Sequence, residues 1–341
     1  MKKLLYLTQR YRPPLEATSK EIALLSQTFH GAIFNIHLDG LLRFIWKKDM
    51  TSHHLFYYPF TLPLLYCSSN NKIIHIYSNL CDRPYLPFFK TKNTILSSTN
   101  FISKEKIIRR RKDITSVKKI IIQSEIQKKE LIDAGIPSEK ISLIYPPVDL
   151  DSFSYQQPST DFTILCASTP AKVKDLEKRG IYFILNADNL MQNIKIKFLL
   201  RNSPLVENII KQRQLQNIET DNNIYQNMDE QYAKVHATLI SYLRLDGYLK
   251  LIPTSAAESL AAGKPLIVSS QTGIAEIVEK EKCGVIFEPN QESFLQAINR
   301  LKKEYKYYQQ NCRKTAEKYF SKNVFIKKHE EIYQGVSGEI N

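Results

Sequence analysis

The sequence predicts an α/β protein of two domains, each built on a parallel β-sheet. Short apolar runs alternate with helical patterns in residues 1–145, and the alternation starts again at residue 163. Such alternation is typical of parallel strands joined by crossovers. Pro146, Pro147 and the polar residues 156–160 indicate a linker between the halves. At 341 residues the chain is long for one core and suits two domains.

In the first half, apolar runs have the length and composition of buried strands. They cover residues 4–8, 32–37, 73–77, 94–97, 119–123 and 143–145. We expect a helix at residues 19–30, and a further helix that Ser124 caps and Gly135 ends. The apolar start has only about four residues, against the roughly 7–15 of a secretory signal, so a strand is the better interpretation.

The second half repeats the pattern. Strands are predicted at residues 163–168, 195–200, 238–242 and 266–268. Helices are predicted at residues 180–191 and 256–262, and an amphipathic helical segment runs from Tyr319 toward the end of the chain.

Composition excludes several classes of protein. Hydrophobic residues make up 43% and charged residues 24%, as in a soluble globular protein. No apolar run approaches the roughly 20 residues that span a bilayer. The cysteines are scattered, odd in number and never in a CxxC pair, which excludes a structural zinc signature and favours a reducing compartment. We therefore expect a protein without a metal site, cytoplasmic or peripheral on the inner face of a membrane.

Positive charge is concentrated in the first half. The chain carries +14, and residues 1–155 hold 23 Lys and Arg against 13 Asp and Glu, which gives +10 of that total. This excess favours a partner with phosphates, such as an anionic membrane, a lipid diphosphate or nucleic acid. The alternative is a lysine-rich composition with solvated faces. No nucleic-acid-binding motif is present, so nucleic acid is not the expected partner.

Residues 246–290 carry the strongest functional signal. A polar stretch leads into a predicted helix with Glu258, a turn at residues 263–265 and an apolar strand, and a second glycine-containing turn precedes a helix with Glu276. Two such turns point backbone N–H groups and helix N-termini into one crevice, where a phosphate binds readily. A carboxylate at a helix start can accept hydrogen bonds from sugar hydroxyls. These features together predict a nucleotide-sugar site.

The same segment resembles the donor-binding signature of the retaining GT-B glycosyltransferases, family four in particular. Lys250, Pro253, Ser255 and Glu258 match the Lys-x-x-Pro-x-Ser-x-x-Glu pattern of a subset of that family. Many other members have a glutamate at the position of Lys250. The resemblance implies two Rossmann-like domains that face a central cleft.

Further matches imply the domain boundaries. The turn at residues 146–149 resembles the interdomain turn of the family, and Phe320-Ser321 followed by Tyr333 resembles its last helix, which crosses back onto the N-terminal domain. On this resemblance, an acceptor-binding domain spans residues 1–150 and is joined by helix 318–341. A donor-binding domain then spans residues 151–317.

The resemblance also assigns catalytic roles. It implies that Glu258 holds the ribose hydroxyls of the nucleotide, and that Lys250 and Ser255 face the diphosphate, where fixed positive charge is a large catalytic contribution. The alternatives are a glutamate favoured by the helix dipole and a solvated loop lysine.

A second group of residues is implied to bind the diphosphate. Family members carry an arginine, then a lysine before glycine. Arg179 matches the second position, and Ser168 and Thr169 stand near the first, with Lys172 or Lys174 as substitutes. A guanidinium suits a diphosphate because it can form two parallel hydrogen bonds. The alternative is a charged loop at a helix start.

Thr272, Gly273, Ile274 and Glu276 match the second turn of the family's donor site, where backbone amides approach the sugar or the phosphate. The alternative for Gly273 is a simple turn former.

The acceptor side is less well marked. The family's glycine pair after the first strand and its histidine near residues 94–100 are both missing, and His75 is the best remaining candidate. A lone histidine at a strand end is also often structural. Residues 109–112 form a basic run, and Trp46 and residues 56–60 add aromatic character of the kind found at membrane surfaces.

We therefore expect a metal-independent, cofactor-independent retaining enzyme that transfers a sugar from a nucleotide-diphosphate donor to a cell-surface glycan, such as lipopolysaccharide, or to a lipid-linked acceptor. A catalytically inactive GT-B nucleotide-binding protein is the main alternative, because Lys250 replaces a glutamate. A nucleic-acid-binding protein and a sugar-nucleotide epimerase are weaker ones.

Overall fold

A computed structural model of the chain describes residues 3–8, 11, 13, 16–35, 72–77, 93–98, 100–158, 161–170, 172–191, 193–201, 203–243 and 252–338. The chain forms two compact units. The first consists of Met1–Tyr145 and Phe325–Asn341, and the second of Pro146–Val324. In the residues that the structure describes, each unit has a six-stranded sheet whose paired strands are parallel, so the predicted α/β class is confirmed.

The sheet of the first unit has the order β2-β1-β3-β4-β5-β6. Its strands are β1 (Lys3–Thr8), β2 (Ala32–Asn35), β3 (Lys72–Tyr77), β4 (Asn93–Ser98), β5 (Lys119–Ile122) and β6 (Ile141–Leu143). Strands covered on both faces read as continuous apolar runs, which is why the sequence pattern finds them. The strand predicted at residues 143–145 lies instead at Ile141–Leu143, because its partner β5 ends at Ile122.

The helices of this unit that precede β6 join its strands. They are α1 (Ala17–Phe29), α2 (Lys104–Arg109), α3 (Arg111–Thr115) and α4 (Glu125–Asp133). The Ser124 hydroxyl accepts a hydrogen bond from the Gln127 backbone N–H (3.2 Å) and so caps α4 as predicted, a contribution of about 1 kcal/mol. Gly135 follows the helix with a φ of +80°, the left-handed conformation that glycine supplies.

The sheet of the second unit has the order β12-β11-β10-β7-β8-β9. Its strands are β7 (Phe162–Cys166), β8 (Ile194–Leu199), β9 (Ile218–Asp221), β10 (Ala237–Ile240), β11 (Leu266–Ser269) and β12 (Gly284–Phe287). The sequence prediction missed the two edge strands, β9 and β12. The segment of β9 reads Ile-Glu-Thr-Asp and has no apolar run, and that of β12 starts with a glycine, which is unfavourable in strands.

Nine α-helices follow β6 in the described residues, and the last of them is the long final helix. They are α5 (Val173–Lys178), α6 (Ile181–Leu185), α7 (Pro204–Arg213), α8 (Asp229–Ala233), α9 (Thr254–Ala261), α10 (Ala275–Glu281), α11 (Gln291–Lys303), α12 (Tyr305–Phe320) and α13 (Lys322–Gly338). From Phe325 onward, α13 belongs to the first unit, where Ile332, Tyr333 and Val336 are buried beside Leu4. Among the described residues, no helix combines the length and apolar character that crossing a membrane requires.

The helix predicted at residues 180–191 was wrong in its end, because α6 stops at Leu185 and a separate 3-10 turn covers Asp188–Leu190. Gly180 separates α6 from the preceding helix α5. Gly180 has a φ of +68°, and a Cβ atom there would lie 2.0 Å from the backbone oxygen of Ser241. Both the backbone conformation and the close approach therefore require glycine. The contact brings the start of α6 directly against the chain that leaves β10.

The predicted linker is anchored to the second unit where it is described. Arg313 Nη1 donates hydrogen bonds to the carbonyl oxygens of Leu150 (3.0 Å) and Phe153 (2.9 Å). The fully buried Lys264 donates to the carbonyl of Gln156 (2.6 Å), and burial lowers its pKa to about 8. These bonds satisfy backbone oxygens that a mobile linker would leave to water.

Candidate functional site

The candidate site lies at the carboxyl edge of the second unit's sheet. β7 comes first in this unit, β8 pairs with one of its sides, and β10 pairs with the other. The strand order therefore reverses between β7 and β10. Ligands of parallel α/β sheets bind at the carboxyl ends of the strands that flank such a reversal.

Arg179 joins the two chain segments at this point. Its guanidinium Nη1 donates a hydrogen bond to the hydroxyl of Ser168, which follows β7 (3.0 Å), and its backbone carbonyl accepts one from the hydroxyl of Ser241, which follows β10 (2.7 Å). The Arg179 Nε atom is buried and has no hydrogen-bond partner among the described residues. The structure thus brings together Ser168 and Arg179, as the site prediction requires.

The Arg179 guanidinium also lies near an aromatic ring. Its Cζ atom is 5.9 Å from the ring centroid of Tyr242, a cation–π distance. Burial raises the pKa of Tyr242, and the charge of Arg179 opposes that rise. The Arg179 guanidinium therefore lies between the neutral ring of Tyr242 and the hydroxyl of Ser168. Its remaining N–H groups are available to donate hydrogen bonds to an anion.

Lys172 and Lys174 lie on the surface at the start of α5. Both side chains are exposed, and the Lys172 backbone N–H donates to the Asp175 carboxylate (3.0 Å). All these residues lie in the described part of the chain, and no hydrogen bond joins either lysine to Ser168 or Arg179. Their role in diphosphate binding stays a prediction.

Glu258 projects from the second turn of α9. The helix begins at Thr254, directly after Pro253, so Glu258 is not at the helix start as expected. The carboxylate Oε2 lies 3.1 Å from the Tyr232 hydroxyl, which is also 3.1 Å from the carbonyl oxygen of Ser255. Burial, and then the charge of Glu258, raise the pKa of Tyr232 well above its usual value. The tyrosine hydroxyl therefore stays protonated and donates.

Two hydroxyls of the first turn of α9 lie four and three positions before Glu258 in the sequence. The side-chain oxygens of Thr254 and Ser255 are buried and have no hydrogen-bond partner among the residues that the structure describes. A buried hydroxyl without a partner costs about 1–3 kcal/mol. A ligand that bonds to these oxygens would remove that cost.

The second turn offers mainly its backbone. The Thr272 hydroxyl is buried and donates to the Ser269 carbonyl (2.8 Å), and Gly273 and Ile274 are buried as well. Glu276 is exposed in the first turn of α10. The side chain of Glu276 and the backbone N–H groups of the turn are therefore what this segment can offer a ligand.

Several predicted features lie outside the described residues. They are Lys250, Trp46 and residues 56–60. Their proposed roles stay predictions from the sequence.

His75 lies in the core of the first unit. It is fully buried, its Nδ1 is 2.8 Å from the Tyr333 hydroxyl, and its Nε2 is 2.6 Å from the Ser97 hydroxyl. Burial lowers its pKa well below the usual value, and the nearby His329 lowers it further. Both ring nitrogens are used within the protein, which supports the structural alternative over an acceptor-binding role.

The basic run predicted from the sequence forms a surface on α2 and α3. The exposed side chains are Arg109, Arg111 and Lys112 of this run, together with Lys104 and Lys106 on α2 before it. Ile108 lies among them and is 53% exposed. We call this set the α2–α3 surface.

Sequence reasoning missed Tyr232 and Arg201. Tyr232 lies in a short polar helix, where nothing in the sequence indicates a contact with Glu258. Arg201 follows β8 at the same sheet edge and has a φ of +45°, a conformation that is costly for a residue with a side chain. Its positive charge acts on Tyr232, since it lowers the pKa of that tyrosine. Backbone conformation of this kind cannot be seen in a sequence.

Residues 203–319 match the family model described as glycosyl transferases group 1. Tyr232, Ser255, Glu258 and the turn at residues 272–276 lie within the matched segment, whereas Ser168 and Arg179 precede it. No curated protein matches the chain.

Solved structures of glycosyltransferases match almost the whole chain. A glycosyltransferase from Rickettsia africae has a TM-score of 0.77 at 18% identity, over 99% of both chains. Alr3699/HepE of Anabaena, in complex with UDP and glucose, has a TM-score of 0.70 at 13% identity, over 98% of this chain and 100% of that chain. The lipopolysaccharide outer core galactosyltransferase WaaB has a TM-score of 0.73 at 14% identity, over 98% of this chain and 99% of that chain.

Likeness at these identities shows the fold. The chain has the α/β fold of the GT-B glycosyltransferases, and its second unit contains a segment, residues 203–319, that matches the group 1 model.

Proposed function

We propose that the protein is a retaining glycosyltransferase of the family-four type, which transfers a sugar from a nucleoside diphosphate to an acceptor hydroxyl. One observation carries the proposal. The carboxyl edge of the second unit's sheet combines a hydrogen-bonded carboxylate, Glu258, a guanidinium, Arg179, and the buried hydroxyls of Thr254 and Ser255.

In this proposal, Glu258 accepts hydrogen bonds from the 2′- and 3′-hydroxyls of the ribose. A carboxylate has two oxygens and suits a vicinal diol. The Tyr232 hydroxyl contacts one of them, which limits the orientations that the carboxylate can take.

The diphosphate is assigned to Arg179 together with Lys250, Ser255 and the backbone amides of the second turn. The bond from the sugar C1 to the phosphate oxygen breaks and leaves an oxocarbenium-like sugar, while negative charge grows on the diphosphate. Positive groups already in place stabilise that charge without reorganising, and they do so without a metal ion. The acceptor hydroxyl then forms its bond to C1 on the same face, and its proton passes to the departing phosphate.

A thermal-shift screen against UDP, GDP, ADP, CMP and their common sugars tests the proposal. We expect one nucleoside diphosphate to raise the melting temperature and its nucleoside to do much less, because ligand binding stabilises the folded state. UDP is the first choice, since Alr3699/HepE was solved with it. A folded protein that none of these compounds stabilises would contradict the proposed site.

The proposed acceptor is a cell-surface glycan or its lipid-linked precursor, reached from the cytoplasmic face of a membrane. Two observations support it. WaaB, a lipopolysaccharide galactosyltransferase, shares the fold. The α2–α3 surface places several cations around an exposed isoleucine, a combination suited to an anionic lipid surface.

Sedimentation with vesicles tests the membrane contact. We expect binding to vesicles with a third of anionic phosphatidylglycerol and little binding to pure phosphatidylcholine, because each cation near an anionic surface contributes about 1 kcal/mol. The double variant Arg109→Glu/Lys112→Glu should lose most of the binding, whereas Lys302→Glu/Lys303→Glu on α11 serves as the charge-matched control. Equal loss in both variants would argue for a general charge effect, not for this surface.

An inactive GT-B nucleotide-binding protein remains the alternative, because Lys250 stands where many relatives have a glutamate. Release of free sugar or transfer to an acceptor by the wild-type protein would exclude it. Nucleotide binding without any turnover of the donor sugar would favour it.

A further inference from the structure

Tyr232 is held rigidly by the core of the second unit. It is fully buried in α8, and its ring belongs to a cluster with Leu165, Leu199 and Val235. Phe153 packs edge to face against it, with ring centroids 5.8 Å apart. Packed interiors leave such a ring little freedom, so the position of its hydroxyl is set by the fold.

The hydroxyl has one proton and two acceptors at equal distance. The Ser255 carbonyl and the Glu258 carboxylate both lie 3.1 Å away. A hydrogen bond to an ionised acceptor is about twice as strong as one between neutral groups, so the proton favours the carboxylate. A hydroxyl fixed by the core thus holds one oxygen of a half-buried glutamate in place.

We propose that Tyr232 is a positioning residue, which orients the Glu258 carboxylate for the ribose diol of the nucleotide. This inference rests on the proposed function. It assigns to a residue of α8 part of the preference for ribose, although Tyr232 itself is separated from solvent. Preorganised acceptors gain affinity because they lose less conformational freedom when the ligand binds.

The test compares Tyr232→Phe with a matched control, Tyr308→Phe. Tyr308 is also a buried tyrosine of the second unit, and its hydroxyl donates to a glutamate oxygen, Glu304 Oε2, at the same distance of 3.1 Å. Both variants remove one hydroxyl and keep the ring. Melting temperatures show what each hydroxyl contributes to stability alone.

The measurement is the affinity for UDP, GDP and ADP and for their 2′,3′-dideoxy analogues, by calorimetry. For the nucleotide that wild type binds, Tyr232→Phe should weaken binding of the ribonucleotide about tenfold and leave the dideoxy analogue nearly unchanged. With the donor sugar, KM should rise more than kcat falls. Tyr308→Phe should keep the wild-type preference for ribose.

Failure of the proposed function and failure of the Tyr232 role give different results in this experiment. A wild-type protein that binds none of these nucleotides overturns the proposed function and the role of Tyr232 with it. Wild-type binding with an unchanged preference for ribose in Tyr232→Phe overturns the positioning role alone. An equal loss for the ribonucleotide and its dideoxy analogue would show a purely structural role and would also overturn it.

Discussion

Replacement of Glu258 by alanine is expected to weaken binding of the preferred nucleoside diphosphate by at least about 100-fold. The proposed complex contains two hydrogen bonds from the ribose to a charged oxygen pair, each worth about 1.5–3 kcal/mol, and a factor of ten corresponds to about 1.4 kcal/mol. The change also removes the charged one of the two acceptors of the buried Tyr232 hydroxyl and leaves only the Ser255 carbonyl, so a lower melting temperature is expected as well. Calorimetric titration and thermal unfolding measure the two effects separately.

Glu304→Ala is the matched control for Glu258→Ala. It removes the carboxylate that accepts from Tyr308 and thus imposes a similar kind of structural loss away from the proposed site. We expect it to change the melting temperature but not the nucleotide affinity. Unchanged affinity in a folded Glu258→Ala protein would show that this carboxylate does not hold the nucleotide.

Replacement of Arg179 by alanine is expected to lower kcat/KM for the donor sugar by about 100- to 1000-fold, the usual cost of removing one preorganised charge-stabilising group. Arg179→Lys should recover only part of the activity. A lysine restores the charge but not the planar fork that contacts Ser168 and presents further N–H groups. Affinity for the nucleoside without phosphates should change little, which separates this effect from that of Glu258.

Arg300→Ala provides the control for Arg179→Ala. The Arg300 guanidinium also lies 5.9 Å from a tyrosine ring centroid, that of Tyr308, yet it is on α11, which contributes no residue to the candidate site. Its loss should leave transfer activity unchanged. If Arg179→Ala bound and transferred as well as the Arg300 variant, the diphosphate would have to be assigned to other groups.

The sequence predicts the interior of the fold well, because strands covered on both faces must be apolar throughout. It fails at β9, where Ile-Glu-Thr-Asp at a sheet edge has no such requirement, and at Gly180, whose role depends on the distant Ser241 carbonyl. For the site, residue types at short spacing reveal Glu258 and Ser255. The contact of Tyr232 with Glu258 joins residues 26 positions apart and depends on the folded chain. His75 could not be assigned from the sequence, because the contacts of its ring nitrogens with Tyr333 and Ser97 inside the core join distant residues.

The final helix has a consequence for synthesis on the ribosome. The second unit is one continuous stretch, Pro146–Val324, whereas the first needs Phe325, Ile332 and Tyr333 of α13 to fill its core. Domains usually complete their folding in the order in which they are translated. Here β1 and α1, which are made early, complete their shared core only after α13 has been made. The nascent N-terminal unit is therefore the part of the chain with the longest exposure to chaperones and to aggregation.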